Sequence, residues 1–271
     1  TAKSAAKPSG FMLKKSAGPL KLVKWDYIIM ASVILIYGAV ALYNLGDMSA
    51  PQTCWKGMNP GDGFVVKFDG SAYVQEMKFF TGNYEGRKVN LRYGVEREGA
   101  IQWSEPTTID LGYVFGWHST PVQKGVEYLE VTATLDRTWI HEVSFLNKNG
   151  ARLTELSVTP AGADRGVAYL TDEQDTVPAQ ISYRNSTYFD EIYHARTAFE
   201  YLHSMWPYEN THPPLGKVFI SMGIAIFGMV PFGWRIIGTL FGVAMLPFIY
   251  VFAKKMFRRT DVAAITMILF A

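Results

Sequence analysis

The chain has little cysteine and little net charge, and both scarcities exclude classes of protein. Of its 271 residues only Cys54 is a cysteine, so neither an internal disulfide framework nor a Cys-x-x-Cys metal site is available. A net charge of +2, with no basic stripe that interleaves aromatic residues, excludes a nucleic-acid partner. Charged residues make up 18% of the chain, below the usual share of about a quarter. Aromatic residues reach 14%, which excludes extensive disorder.

The apolar residues are concentrated in long runs near both ends. An uncharged run over residues 27–45 would span roughly 28 Å as a helix, close to the hydrocarbon thickness of a bilayer. Six lysines precede it, and the first acidic residue is Asp26. Because the run is too long for a cleaved signal peptide, we expect a retained anchor. This predicts a basic cytoplasmic tail over 1–24, a transmembrane helix over 25–46 and an external location for the chain from residue 47 onward.

A second apolar block, over residues 215–271, predicts transmembrane helices 2 and 3 and the start of a fourth. Residues 215–230 form one segment, residues 231–233 are expected to break it, and residues 234–253 form the next. The last run, 262–271, has half the length of a span, so we expect the natural protein to continue. Two full spans would place the intervening basic cluster outside, which the positive-inside rule disfavours. The orientation after the first helix therefore stays open.

Between these blocks the apolar pattern changes to alternation. Residues 89–96 alternate strictly between apolar and polar, which is typical of a half-buried strand. Four further segments predict strands: 64–68, 73–80, 128–135 and 139–146. Short strands separated by turn signals predict an extracytoplasmic antiparallel β-sandwich over residues 47–170. The predicted fold class is therefore an α-helical polytopic membrane protein that carries an external sandwich.

The order of the strands and tryptophans in this region resembles a discoidin-like, or galactose-binding-like, sandwich. The resemblance implies a loop-tip site for sugars, lipids or proteins. Its candidate residues are Trp103, Tyr113, Trp117 and His118. The alternative, that these rings pack in the core of a spacer domain, is favoured because aromatic residues in sandwiches usually fill the core.

Residues 171–214 form a linker with an amphipathic helix. Apolar residues recur at near-helical spacing over 189–205, and aromatic residues at its end suit a membrane–water interface. Asp190 and Glu191 lie in its first turn, where carboxylates complement the helix dipole, so simple capping is one interpretation. Asp190 and His194 also share one helical face, since they are four residues apart.

A second motif lies at the start of the next apolar helix. Residues 211–217 read Thr-His-Pro-Pro-Leu-Gly-Lys. Lys217 would either extend its ammonium group to the interface or pair with a phosphate at headgroup level. Together, residues 189–196 (Phe-Asp-Glu-Ile-Tyr-His-Ala-Arg) and 211–217 resemble the dolichyl- or polyprenyl-phosphate-mannose protein mannosyltransferases of the GT-C class. The similarity covers residues 185–271 well, whereas the inserted sandwich departs from the eukaryotic members.

This resemblance implies transfer of a sugar, mannose, from a polyprenyl phosphate to Ser or Thr hydroxyls of external proteins, with inversion. It implies that Asp190 takes the proton of the hydroxyl, with Glu191 as second acidic residue and His194 in support. The leaving phosphate needs stabilisation by cations. The candidates for that role are Lys217, His212 and Arg196.

The implied partners are the lipid-linked donor, an external protein acceptor and membrane lipid, in a bacterial cytoplasmic membrane rather than the endoplasmic reticulum. The Glu191-x-x-His194 spacing occurs in carboxylate-bridged divalent metal sites, but we expect no metal. Two alternatives stay open. One keeps the donor and changes the acceptor to a lipid or glycan. The other makes the chain a membrane-anchored carbohydrate-binding or scaffold module without catalysis.

Overall fold

The computed structural model describes residues 19–69, 73–122 and 125–271. Most of the expected cytoplasmic tail, with four of its six lysines, lies outside the described residues. The chain forms two compact units. The larger comprises residues 41–241, and the smaller combines the described residues up to Val40 with residues 242–271.

The described part of the chain contains five α-helices. They are α1 Lys24–Leu42, α2 Glu191–Leu202, α3 Pro214–Phe227, α4 Pro231–Phe257 and α5 Thr260–Phe270. By length and composition, α1 and α4 are able to cross a membrane, whereas α3 and α5 are shorter apolar helices. The expected helix break at 231–233 is wrong. The chain turns at Gly228, which has a φ of 87°, and Pro231 opens α4 because proline fits a first helical turn.

The larger unit contains two antiparallel sheets. Their strands are β1 Trp55–Gly57, β2 Gly63–Phe68, β3 Val74–Thr81, β4 Lys88–Arg97, β5 Ala100–Trp103, β6 Thr107–Asp110, β7 Trp117–Pro121, β8 Tyr128–Ala133, β9 Thr138–Asn147 and β10 Leu156–Ala161. One sheet has the order β1-β9-β3-β7. The other has the order β10-β2-β8-β4-β5, and β6 also pairs with β4. The antiparallel strands expected from the alternating pattern are therefore present, while the discoidin-like assignment stays a prediction.

The two sheets share one hydrophobic core, because alternate residues of each strand point inward. Phe64 and Leu129 come from the six-stranded sheet, and Phe79 and Phe145 come from the four-stranded sheet; all four are at most 1% exposed. Trp55 joins the same core in edge contact with the Phe64 ring. We refer to these two sheets as the two-sheet domain.

A second core joins the two-sheet domain to the helices that come after it in the chain. Phe80 and Trp117, from β3 and β7, pack in one cluster with Ala198 of α2, Ile224 of α3 and Trp234 of α4. A Cβ at Gly223 of α3 would collide with the carbonyl oxygen of Gly233, so glycine permits the close approach of α3 and α4. The four-stranded sheet thus packs against the second half of α2, the last turn of α3 and the first turn of α4.

The smaller unit is held by a buried polar cluster. The Asp26 carboxylate of α1 is fully buried. It accepts hydrogen bonds from the Tyr250 hydroxyl at 2.7 Å and the Lys254 ammonium at 2.9 Å, both on α4. The Thr260 hydroxyl of α5 also donates to it, at 3.1 Å. The first turn of α1 meets the last turn of α4, and Gly38, further along α1, lies beside Val243. Within this unit the two helices therefore run antiparallel.

Candidate active site

The beginning of α2 leaves one carboxylate free. Phe189 has a φ of 49°, which interrupts the helical backbone, and Asp190 is the N-cap residue. Its backbone oxygen accepts the amide hydrogen of His194 at 3.1 Å. Its side chain is exposed and makes no hydrogen bond to any described residue. The helix ends at Leu202, before Ser204 with a φ of 53°, so it is shorter than the expected 189–205.

The neighbouring carboxylate, Glu191, is fully engaged. It accepts two hydrogen bonds of 2.6 Å from the Arg235 guanidinium and one of 3.1 Å from the Trp234 indole, both at the start of α4. The backbone amide of Tyr188 donates to the same carboxylate at 3.0 Å. Arg235 also donates to the carbonyl oxygen of Leu45 at 3.0 Å. We call this set the Glu191–Arg235 clamp; it fixes the start of α2 to the start of α4.

The second motif is organised by a buried ion pair. Lys217 of α3 is only 2% exposed, and its ammonium contacts the Glu209 carboxylate. It also donates to the carbonyl oxygen of Glu209 at 2.7 Å. The hydrogen bond from Lys217, with others from Thr211 and His212, holds the pKa of Glu209 well below its usual range. The pair is therefore ionised, and it closes the loop before α3.

Two imidazole rings line the same cavity as Lys217. The rings of His194 on α2 and His212 are in edge contact, with centroids 5.2 Å apart. Both line a cavity of about 350 Å³, together with Lys217 and with Phe241 of α4. We call it the α2–α4 cavity. His194, His212 and Lys217 are thus brought together, and Asp190 lies one helical turn before His194.

Arg196, the third expected phosphate-binding cation, does not line this cavity. It is 6% exposed and donates to the Glu200 carboxylate at 3.0 Å. Its guanidinium lies 3.7 Å from the centroid of the Tyr208 ring. The Tyr208 hydroxyl donates to Glu85, in the β3–β4 connection, at 3.1 Å. These contacts anchor the loop after α2, so Arg196 is occupied by its neighbours.

The four aromatic residues expected to bind a ligand on the two-sheet domain do not meet at one site. Trp103 ends β5 in the six-stranded sheet, whereas Trp117 and His118 are on β7 in the other sheet. Trp117 is only 1% exposed and belongs to the second core. Tyr113 packs against His118 with ring centroids 4.4 Å apart. For Trp117 the core interpretation is therefore correct.

One group of carboxylates has the spacing of a metal site. Oxygens of Glu142, Asp172 and Glu173 lie within 4.8 Å of one another. Burial raises the pKa of Glu142 to about 8, so it is mostly protonated at neutral pH and accepts hydrogen bonds from the Glu173 amide and the Gln174 side chain. The proton on Glu142 thus reduces the repulsion among the three carboxyl groups, which a metal ion would otherwise do. In Glu191-x-x-His194, the glutamate is occupied by Arg235.

Two partners of the expected site residues were not anticipated from the sequence. Glu209 lies eight residues before Lys217, in a loop with no motif of its own. Arg235 had a clearer signal, since a cation within an apolar run usually has a specific partner.

Comparison with known proteins agrees with the resemblance over part of the chain. No protein-family model matches the chain, and no solved structure matches it. The chain is 37% identical over 87 residues to the polyprenol-phosphate-mannose–protein mannosyltransferase of Mycobacterium tuberculosis strain H37Rv. It is 34% identical over 87 residues to the protein of that name from Mycolicibacterium smegmatis. The match covers 30% of this chain and 17% of each relative. Over that segment the chain is homologous to the polyprenol-phosphate-mannose–protein mannosyltransferases.

Proposed function

We propose that the protein to which this chain belongs transfers mannose from a polyprenyl phosphate to a Ser or Thr hydroxyl of an external protein. The observation that carries the proposal is the free carboxylate of Asp190, which lies one helical turn before His194. His194, and not Asp190 itself, lines the α2–α4 cavity. The names of the homologous proteins support the donor and the reaction class. The chain spans 17% of their length, so most of the donor-binding surface would come from residues beyond it.

Asp190 is the proton acceptor in this proposal. A hydroxyl is a weak nucleophile, so a carboxylate must take its proton as the oxygen attacks the anomeric carbon. Asp190 is exposed and unpaired, as a group that receives a proton from an incoming acceptor needs to be. Glu191 is not available for this step because Arg235 holds both of its oxygens. The C–O bond to the phosphate breaks as the new one forms on the opposite face, which inverts the anomeric centre.

The leaving phosphate departs as an anion and needs hydrogen-bond donors. Lys217 already has Glu209 as its counter-ion, and Arg196 has Glu200. We infer that Lys217 chiefly positions the loop before α3. His212 also contacts the Glu209 carboxylate, at 3.2 Å, but its side chain is 65% exposed. It is therefore the candidate most accessible to the phosphate, with His194 beside it.

We infer the membrane arrangement from the antiparallel packing of α1 and α4. If both cross the bilayer, the contact between Asp26 and Lys254 puts the basic residues after α4 on the same side as Lys24. That arrangement satisfies the positive-inside rule. It also requires α3, which at 14 residues is about 21 Å long, to stay on the outer face with the two-sheet domain. A membrane-impermeant thiol reagent should then label a cysteine at Glu98 but not one at Lys255, in intact cells that carry Cys54→Ser.

The transfer reaction tests the proposal directly. Membranes that contain the full-length protein are incubated with labelled polyprenyl-phosphate mannose and a Ser/Thr-rich peptide, and the products are identified by mass. We expect peptide that carries a hexose whose anomeric configuration is opposite to that of the donor. Label in lipid or glycan only would support the alternative acceptors. Absence of any transfer, with intact donor recovered, would contradict the proposal.

A further inference from the structure

A second cavity lies at the C-terminal end of α2 and shares no lining residue with the α2–α4 cavity. It measures about 390 Å³, within the range of small-molecule sites. The four-stranded sheet forms one wall through Trp139 and His141, and the ends of α2 and α3 form another through Phe199 and Ile224. We call it the sheet–helix cavity.

This cavity is lined by a buried polar group that lacks a partner. The indole nitrogen of Trp139 is buried and forms no hydrogen bond to a described residue. His141, only 6% exposed, also lines the cavity, and its ring lies next to the backbone carbonyls of Pro51 and Thr53. Because a buried N–H without an acceptor has lost its hydrogen bond to water, the Trp139 indole indicates a place where a ligand would supply an acceptor.

The cavity has a positively charged lining residue and no negatively charged one among the described residues. Lys56 lines it, with its ammonium 4.8 Å from the centroid of the Trp139 ring. No carboxylate is among the described residues that line it. Most of the remaining wall is apolar, from Phe115, Phe199, Leu202 and Met229 among others. The cation and the N–H donor are complementary to a head group that only accepts hydrogen bonds. The apolar wall is complementary to a hydrocarbon chain attached to that head group.

We propose that the sheet–helix cavity binds an amphiphilic anion, a single apolar chain that ends in a phosphate or carboxylate. The head group accepts hydrogen bonds from Lys56 and from the Trp139 indole N–H, and the chain lies between Phe199 and Ile224. The site is separate from the α2–α4 cavity, so this proposal does not depend on the transferase reaction.

The indole N–H of Trp139 provides a direct reporter. The full-length protein is labelled with ¹⁵N-tryptophan in phosphatidylcholine nanodiscs, and the indole signal of Trp139 is assigned with Trp139→Phe. Dodecyl phosphate should shift the Trp139 signal downfield and saturably, because an unbonded N–H gains an acceptor. Inorganic phosphate and dodecanol, which each lack one half of the proposed ligand, should shift it at least tenfold less effectively.

The matched variants are Lys56→Met and Lys67→Met. Each removes an ammonium that lies over an aromatic ring, but Lys67 is on β2, away from the cavity. We expect the half-saturating concentration of dodecyl phosphate to rise at least tenfold in Lys56→Met and to stay unchanged in Lys67→Met. Ala225→Leu, which fills the cavity without touching its polar groups, should also weaken binding while the other indole signals stay in place.

Three results would overturn the proposal. One is a Trp139 signal that does not respond to dodecyl phosphate. Another is an equal response to dodecanol or to inorganic phosphate. The third is equal affinity in Lys56→Met and Lys67→Met. Transfer activity plays no part in these measurements, so the two proposals fail independently.

Discussion

Replacing Glu191 by Gln tests whether the Glu191–Arg235 clamp supports the fold or takes part in the chemistry. Gln keeps the size of the side chain but removes its charge. Arg235 then loses both 2.6 Å hydrogen bonds to a carboxylate, although its bonds to Leu45 and Ser186 remain. Removing one partner of a buried ion pair costs about 3–5 kcal/mol. The Glu191 side chain is 28% exposed, so water recovers part of this, and we expect about 2–3 kcal/mol.

Thermal unfolding in detergent measures the effect. Roughly 2–4 °C are lost per kcal/mol in a domain of about 200 residues, so the melting temperature of Glu191→Gln should fall by about 4–12 °C. Glu105→Gln, at an exposed position, is the matched control and should melt like the wild type. Adding Arg235→Met to Glu191→Gln should restore part of the loss, because no uncompensated charge is left. An unchanged melting temperature, combined with loss of transfer in the full-length protein, would refute this reasoning and make Glu191 catalytic.

Three further predictions concern other parts of the chain. Burial raises the pKa of Glu142 from 4.5 to about 8 on folding, so between these pH values the folded protein binds one proton more than the unfolded chain. The melting temperature should therefore fall from pH 6 to pH 9. The fall should be smaller in Glu142→Gln, which does not titrate. Trp117→Ala should cost about 3–5 kcal/mol in urea unfolding, whereas Trp103→Ala, at a half-exposed position, should cost clearly less. Asp26→Ala should leave the Lys254 ammonium buried without a counter-ion and lower the melting temperature more than Asp261→Ala.

The sequence predicted the strands well because their periodicity is local. Residues 89–96 alternate since one face of β4 packs in the core, and the structure forms β4 over Lys88–Arg97. The ends of α2 could not be predicted from the sequence. They are set by positive φ angles at Phe189 and Ser204, and these residue types rarely adopt such angles. The proline at 231 was taken as a break although it opens a helix.

The site was predicted in part for the same reason. Asp190 and His194 are related by one helical turn, so their proximity results from spacing alone. The contacts that occupy Glu191 and Lys217, by contrast, come from residues distant in the sequence or in a loop without a motif. Arg235 reaches Glu191 across 44 positions, and the loop containing Glu209 folds back over α3. A single sequence indicates that a cation such as Arg235 has a partner but not which residue it is, so Glu191 was grouped with Asp190 even though its carboxylate is engaged.

The most direct test of the central claim is the turnover of Asp190→Asn in the full-length protein. Asp190 makes no side-chain hydrogen bond to any described residue, so the substitution should leave the melting temperature within about 1 °C of the wild type. Loss of a general base should lower kcat by a factor of about 10²–10⁴. Wild-type kcat in this variant, measured with the same donor and peptide, would contradict the account.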